Sequence, residues 1–168
     1  MAHPSTSPSE PQGERRPAVS RPYVPGYGIP QQVEGTLPWS YVVERLAQSR
    51  NYWIATATLD GVPHAVPVWG VWLDETLYFG GGPQTRWSRN LAANPRVVVH
   101  LDDSEQAVIL QGTVTRIDDP AHPLIARLDA AYLAKYGMEH GVPIWILRPH
   151  TAFAWTRFPD DATRWTFE

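Results

Sequence analysis

Cysteine is absent from this chain of 168 residues. Without thiols, the protein has neither a disulfide framework nor a thiolate site for zinc or an iron–sulfur cluster. Nothing in this composition indicates an oxidising compartment, so we expect a cytoplasmic protein. The remaining composition, 43% hydrophobic and 18% charged, is typical of a globular protein with a single core.

The sequence also lacks long apolar runs. Its apolar runs, such as residues 97–99 and 107–110, are far shorter than the roughly 20 residues that span a bilayer. The polar N-terminus has no apolar region of the signal-peptide kind, so we expect no membrane association. A formal net charge of -3 gives no general attraction for nucleic acid, whose phosphates must be neutralised by cations.

Motifs for metal-dependent, serine-dependent and dinucleotide-dependent chemistry are missing. The histidines, at positions 3, 64, 100, 122, 140 and 150, show no spacing typical of a metal site. There is no Gly-x-Ser-x-Gly segment, and Gly26-Tyr27-Gly28 lacks the third glycine of a Rossmann fingerprint. We therefore expect no metal, no serine nucleophile and no Rossmann site.

Proline is concentrated near the N-terminus, where eight of the 17 prolines lie at or before Pro38. Residues 1–20 contain little that fills a core, which predicts a disordered tail. Residues 21–30 carry two tyrosines and an isoleucine, and this segment is either an extended arm over a partner or cofactor, or a flexible linker. We divide the chain into a proline-rich, disordered N-terminal arm, residues 1–35, and one domain, residues 36–168.

The sequence pattern predicts that the domain consists of short strands with three helices between them. Thr36 is expected to cap a helix that runs to Arg50, and further helices are expected from Arg86 and from Asp119-Pro120. Strands are predicted at residues 52–59, 63–72, 77–80, 96–101, 107–117, 144–147, 152–156 and 163–167. Tight connections favour a mainly β fold, an antiparallel barrel of six to seven strands, over a parallel βαβ sheet.

Two local features indicate a binding site. Pro67 cannot donate a hydrogen bond to a sheet, so its strand is predicted to be an edge or to carry a bulge with outward-facing backbone. The segment Gly80-Gly81-Gly82-Pro83-Gln84-Thr85 opens a helix, and glycines at a helix N-terminus favour an anion such as phosphate. The alternative is a plain turn with a solvated Arg86.

Four segments together resemble a known family: His64-Ala-Val-Pro-Val-Trp69, Leu77-Tyr-Phe-Gly-Gly81, Thr85-Arg86, and above all Arg89-Asn-Leu-Ala-Ala-Asn-Pro-Arg-Val-Val-Val-His100. They resemble the core of the pyridoxamine 5'-phosphate oxidase-like split β-barrels, which include enzymes that use the deazaflavin coenzyme F420. The resemblance covers about residues 39–167. It implies a homodimer whose cofactor lies in a groove between the subunits.

The resemblance also implies roles for individual residues. Backbone groups of residues 65–68 face the ring system, residues 79–81 form its floor, and Thr85 with Arg86 holds the phosphate. Trp87 stands where many relatives have lysine, so it either removes a cation or stacks on a larger tail or ring. The second subunit is expected to supply Arg164. The implied cofactor-binding residues are His64, Ala65, Val66, Pro67, Val68, Phe79, Gly80, Gly81, Thr85, Arg86, Trp87, Trp155 and Arg164.

The expected function is an oxidoreductase that reduces a small organic substrate with reduced coenzyme F420. In such a protein the cofactor ring transfers the hydride and no side chain need be catalytic. Two alternatives stay open at this point: an FMN-dependent oxidase or reductase, and a non-catalytic protein that binds flavin or haem. A barrel with an empty groove, acting as a dimeric scaffold, is a further reading.

Overall fold

The computed structural model describes residues 17–168, so the part of the predicted arm at residues 1–16 lies outside the described residues. The strands are β1 (Ala18–Ser20), β2 (Asn51–Ala57), β3 (Pro63–Leu73), β4 (Thr76–Gly80), β5 (Arg96–His100), β6 (Val108–Ile117), β7 (Ile144–Ala154) and β8 (Thr163–Thr166). The helices are α1 (Trp39–Gln48), α2 (Arg86–Ala93) and α3 (Ile125–Tyr136).

Six antiparallel strands close into a barrel in the order β7-β4-β3-β2-β5-β6, because β6 pairs back onto β7. Strand β8 extends the sheet beyond β7, and β1 pairs with β8. This confirms the predicted mainly β, antiparallel barrel with a few short helices. Closure leaves no unpaired edge around the barrel wall, except where individual strands are longer than their neighbours.

The barrel core follows from alternation along the strands. In β2, residues Tyr52, Ile54 and Thr56 are buried, while the residues between them are partly exposed. Period-two alternation of this kind places one face of a strand in the core. The largest fully buried side chains of the barrel core are Trp165, Tyr52, Phe79, Leu46, Ile54, Leu77, Leu91, Leu110 and Leu147.

A second apolar cluster lies on the outside of the barrel, under α3. Leu128 and Tyr132 of this helix pack against Val71, Tyr78 and Ile144 of three strands. The helix ends at Gly137, which adopts the left-handed conformation with φ 80°. This packing fixes the C-terminal end of α3 beside the end of β4.

Three predicted boundaries differ from the structure. Helix α1 follows Pro38 rather than a Thr36 cap, because the Thr36 hydroxyl donates to the Val33 carbonyl instead. Helix α3 begins at Ile125, after a turn. The two strands predicted at residues 144–147 and 152–156 form one strand, β7, with a bulge opposite Gln111 and Gly112. The bulge keeps Pro149 within the sheet although it has no N–H group.

The described part of the predicted arm carries structure. Strand β1 (Ala18–Ser20) pairs with β8, and Ser20 lies opposite Arg164. The Arg21 guanidinium donates to the carbonyls of Gln32, Glu34, Asp160 and Ala162. These bonds tie the segment around Arg21 to the loop before β8. Tyr23 and Tyr27 are exposed.

Candidate functional site

Strand β3 has an open backbone edge. Residues 63–69 pair with β2 on one side, whereas β4 pairs only with residues 70–73 on the other. Leu73 and Thr76 flank a two-residue turn, so the backbone N–H and C=O of Leu73 point toward β4. Backbone groups alternate in direction along a strand, and Pro67 is an even number of residues from Leu73. The Pro67 nitrogen therefore also points to the β4 side, away from β2. The missing N–H therefore costs no bond to β2, in agreement with the prediction that backbone here faces outward.

The open edge begins where β4 leaves the sheet at two glycines. A Cβ on Gly80 would collide with the His140 ring, and a Cβ on Gly81 would lie 2.7 Å from Cζ2 of Trp87. Any side chain at either position would displace a ring. The glycines are thus required by close packing, and together with these two rings they form a floor beside β3.

Tyrosines at the end of α3 hold the strand ends beside this floor. The Tyr132 hydroxyl donates to the Trp69 carbonyl at 3.3 Å, and the Tyr136 hydroxyl lies 2.9 Å from the Gly70 nitrogen and 2.6 Å from the Arg50 carbonyl. Burial raises the pKa of Tyr132, and Tyr136 nearby raises it further. The Trp69 ring stacks on Tyr136 with centroids 4.4 Å apart. This end of β3 is therefore rigidly held.

Lys135 lies within the same cluster. Its Nζ donates to the Gly70 carbonyl at 2.7 Å and to the Tyr52 hydroxyl at 3.0 Å, and it lies over the Tyr52 ring. Burial, together with the charge of Arg50, lowers the pKa of Lys135 to about 8. At mildly alkaline pH, the Lys135 ammonium group is therefore deprotonated in a large fraction of the molecules.

The loop between α3 and β7 closes over the glycines. One carboxylate oxygen of Asp129 accepts hydrogen bonds from the backbone nitrogens of His140 and Gly141, at 3.1 and 2.7 Å. The His140 ring lies 4.8 Å from the Tyr132 ring, centroid to centroid. Asp129 thus fixes the loop so that the imidazole covers Gly80.

These elements surround a cavity of about 550 Å³. A cavity of this size suits a small planar ligand, since ligand pockets commonly measure about 300–1,000 Å³. Its lining is mostly apolar and aromatic, and includes no lysine or arginine. The lining residues are Val68, Trp69, Gly80, Gly81, Gly82, Pro83, Trp87, Tyr132, Met138, Glu139, His140, Val142 and Pro143.

The predicted phosphate residues lie next to this cavity, at the start of α2, and not in its lining. Thr85 caps the helix: its hydroxyl accepts from the Ser88 nitrogen and donates to the Gly82 carbonyl. The Arg86 side chain is exposed. The first N–H groups of a helix have no acceptor within the helix, so this end can receive an anion.

Other predicted residues have different surroundings. Val68, Gly80, Gly81 and Trp87 line the cavity, but Phe79 is fully buried in the barrel core. Trp87 is only 6% exposed and packs on Phe79, with ring centroids 5.9 Å apart. The indole therefore fills the space beneath Gly81. The cavity lining includes none of the four predicted residues on the open edge of β3, which are His64, Ala65, Val66 and Pro67.

Trp155 and Arg164 lie at the other end of β7. Gly80 is opposite Ile144, whereas Arg164 is opposite Phe153, nine residues further along the strand. Nine residues of strand span about 30 Å. Trp155 donates through Nε1 to the Ser104 carbonyl, and Arg164 donates to the Ser20 hydroxyl. One chain does not bring these two residues to its own cavity.

Sequence reasoning missed the contribution of α3 and the loop after it. Tyr132, Lys135 and His140 lie more than 45 residues from the glycine segment in sequence, and no motif links them to it. Two signals were available in the sequence. Lys135 is the single lysine of the chain, and Gly137 and Gly141 bracket a short segment that contains a histidine and an acidic residue.

Neither a membrane-spanning helix nor a metal-binding cluster is present in the described residues. In residues 17–168, no helix is both long and apolar enough to cross a bilayer. The same part of the chain contains no group of three or more histidine, aspartate or glutamate side chains arranged to hold a metal ion.

Comparison with solved structures shows the same fold in other proteins. A conserved hypothetical protein from Mycobacterium tuberculosis is 17% identical with a TM-score of 0.61, over 71% of this chain and 85% of that chain. A heme binding protein from Mycobacterium smegmatis is 23% identical with a TM-score of 0.58, over 75% and 57%. An FAD-binding protein from Mesorhizobium loti is 23% identical with a TM-score of 0.57, over 79% and 96%.

Comparison by sequence identifies the family. None of the curated proteins matches this chain. The family model described as pyridoxamine 5'-phosphate oxidase matches residues 40–157, which include the open edge of β3, the glycine segment, α2 and α3. The chain therefore belongs to the pyridoxamine 5'-phosphate oxidase family.

Proposed function

We propose that this protein is an oxidoreductase that binds reduced coenzyme F420 in the cavity beside β3 and reduces a small organic substrate. The observation that supports this proposal is the open backbone edge of β3 next to a floor of two glycines. The two glycines, with the His140 and Trp87 rings packed against them, give an aromatic surface for a planar ring, and the β3 edge supplies backbone groups that can bond it. When bound, the deazaflavin supplies hydride transfer.

The residues around the cavity fit the ring portion of such a ligand. The His140 and Trp87 rings, packed on Gly80 and Gly81, form an aromatic wall for it, and the backbone groups on the outer side of Ala65 and Pro67, on the edge next to the cavity, are not paired in the sheet. Tyr132 and Tyr136 hold the Trp69 and Gly70 backbone in place. The chain thus orients a ring and excludes water from one of its faces.

The start of α2 fits the phosphate portion. The helix dipole and free N–H groups favour an anion there, and the exposed Arg86 guanidinium can form a charge-assisted hydrogen bond with it. Thr85 remains partly engaged as the helix cap. Trp87 is packed beneath Gly81 in place of a second cation, so Arg86 is the cation that we assign to the phosphate.

We propose further that two copies of the chain form a homodimer in which Trp155 and Arg164 of one subunit approach the cavity of the other. The distance of about 30 Å along β7 supports this arrangement, because these residues cannot serve the cavity of their own subunit. Trp155, Phe158 and Tyr27 form a continuous aromatic run that is partly exposed, as interface aromatics often are before assembly.

The cofactor is tested by titrating the purified, ligand-free protein with coenzyme F420 and, separately, with FMN, and following ligand fluorescence. We expect F420 to bind more tightly. Arg86→Ala should weaken this binding roughly tenfold to a hundredfold, because a hydrogen bond between charged groups contributes about 1.5–3 kcal/mol.

Arg127→Ala is the matched control, since Arg127 is an exposed arginine paired with Asp74 on the far side of α3. The dissociation constant of F420 should be the same for this variant and for the wild type. Tighter binding of FMN would replace the deazaflavin assignment with an FMN-dependent oxidase or reductase. If neither ligand binds and haem produces a Soret band, the protein is a haem binder, as the name of its M. smegmatis structural neighbour suggests for that protein.

A further inference from the structure

His140 is the one imidazole that lines the cavity, and its position is fixed from two sides. Asp129 holds the backbone of the loop, and the ring edge packs against Gly80, where a Cβ would lie 2.4 Å from Nε2. The Tyr132 ring supports the opposite side at 4.8 Å. A side chain that is held this closely costs little conformational entropy when it binds a ligand.

One ring nitrogen of His140 is already engaged. Nδ1 lies 3.1 Å from the Gly141 carbonyl oxygen. A carbonyl can only accept, so Nδ1 must carry the proton. In the neutral imidazole Nε2 then carries a lone pair and acts as a hydrogen-bond acceptor.

Nε2 itself has no hydrogen-bond partner within residues 17–168, and it is not among the fully buried polar atoms that lack one. It therefore keeps some accessible surface in a residue that lines the cavity. The other polar side chains in the lining offer no comparable acceptor close to the floor: Tyr132 is engaged with the Trp69 carbonyl, and Glu139 is exposed.

We propose that His140 is a ligand-binding residue whose Nε2 accepts a hydrogen bond from a ring N–H of the molecule in the cavity. This inference rests on the proposed function and narrows the ligand chemistry to a planar heterocycle with an N–H donor on its edge, such as the imide edge of a flavin or deazaflavin. This hydrogen bond orients the ligand ring so that the N–H edge of the ligand faces the α3–β7 loop.

The test compares His140→Phe, which keeps an aromatic ring over Gly80 but has no acceptor, with His140→Gln, whose amide oxygen can accept at similar reach. His150→Phe is the control, because His150 is an exposed strand histidine. We expect His140→Phe to weaken binding of the tighter of F420 and FMN roughly fivefold to tenfold, as for loss of one hydrogen bond. His140→Gln should recover part of this loss, and His150→Phe should leave it unchanged.

Nitrogen-15 NMR of the wild-type imidazoles gives a readout independent of the variants. We expect an unprotonated Nε2 in the free protein that shifts when the ligand is added. Wild-type affinity in His140→Phe, or no shift at Nε2 when ligand binds, overturns the role of His140 and leaves the proposed function intact. Absence of binding of both F420 and FMN to the wild type overturns both. If His140→Phe does not fold, the His140→Gln titration and the NMR shift decide.

Discussion

The two ends of β7 are built from different interactions. At its start, opposite Gly80, side-chain hydroxyls and one ammonium group from α3 bond the backbone of β3. At its end, opposite Thr163, the carboxylate of Asp161 and the guanidinium of Arg21 bond loop backbone. The first end encloses a cavity, and the second presents partly exposed aromatic side chains.

The difference shows how one strand can serve two purposes. At the cavity end, α3 fixes a strand whose own edge is left without a partner, so the free backbone stays available for a ligand. At the far end, the polar groups hold a turn and the arm in place, so the aromatic run of Tyr27, Phe158 and Trp155 keeps a defined shape without being buried. A dimer that places one end against the other would complete the site.

The largest expected effect comes from removing one arginine at each end. Arg86→Ala and Arg164→Ala should each weaken ligand binding tenfold or more. In a dimer that shares its sites, a heterodimer of the two variants contains one site with both arginines and one site with neither. After unfolding and refolding an equal mixture, about a quarter of all sites should recover wild-type affinity, since half of randomly formed dimers are mixed.

The control is the same mixture without refolding, measured before subunits exchange, which should bind weakly. A refolded mixture that also stays weak would contradict the shared site. If both arginines acted within one chain, every chain in the mixture would still carry one substitution and no site could recover.

The second effect concerns the far end alone. Asp161 is 3% exposed and accepts hydrogen bonds from the Thr156 hydroxyl and from the backbone nitrogens of Thr156 and Arg157. Burial alone would raise the pKa of Asp161, but the bonds from Thr156 and Arg157 outweigh it and lower the pKa. Asp161→Asn should reduce the free energy of unfolding by about 2 kcal/mol at neutral pH, measured by urea denaturation.

The pH dependence has a defined sign. Because the folded state holds this carboxylate ionised more strongly than the unfolded state, its contribution is full at neutral pH and declines as the pH falls below about 4. The Asn variant should lack that part of the acid sensitivity. Asp160→Asn, at the exposed neighbouring position, is the control and should behave as the wild type; equal acid profiles for Asp161→Asn and the wild type would contradict the assignment.

The barrel itself could be predicted from the sequence because its signals are local. The β-branched and aromatic residues of the segment 52–59 and the helix start after Thr85 are each contained within a few residues. The errors arose where a distant contact decides the outcome. The bulge that joins the two predicted strands around Pro149 depends on Gly112 in another strand.

The site was predictable in part for the same reason. Pro67 indicates an open strand edge because it has no N–H, and the glycines indicate close packing because they have no side chain. The predicted residues Val68, Gly80, Gly81 and Trp87 do line the cavity. The wall formed by Tyr132 and His140 could not be predicted, because it exists only once α3 packs on the outside of the barrel. The sequence contains no spacing rule for that contact.

The smallest effect tests the cavity end by titrating the single lysine. Lys135 releases its proton near pH 8 in the folded state but only near pH 10.5 when exposed in the unfolded chain. Between these values the unfolded state binds more protons, so the free energy of unfolding should rise with pH.

Lys135 is partly exposed, so solvent screening reduces this rise to about 1 kcal/mol between pH 8 and 10. Urea denaturation at several pH values should show the rise in the wild type and in Arg127→Met, which changes an exposed cation on the same helix. Lys135→Met should lack it, and a rise that persists in this variant would assign the titration to another group. Above pH 10 ordinary tyrosines begin to ionise while burial keeps Tyr132 protonated, which opposes the trend, so the measurement ends there. A slope confined to Lys135 would show that the α3 cluster behind the open edge of β3 is electrostatically coupled to folding, whereas the carboxylate at the far end acts only in acid.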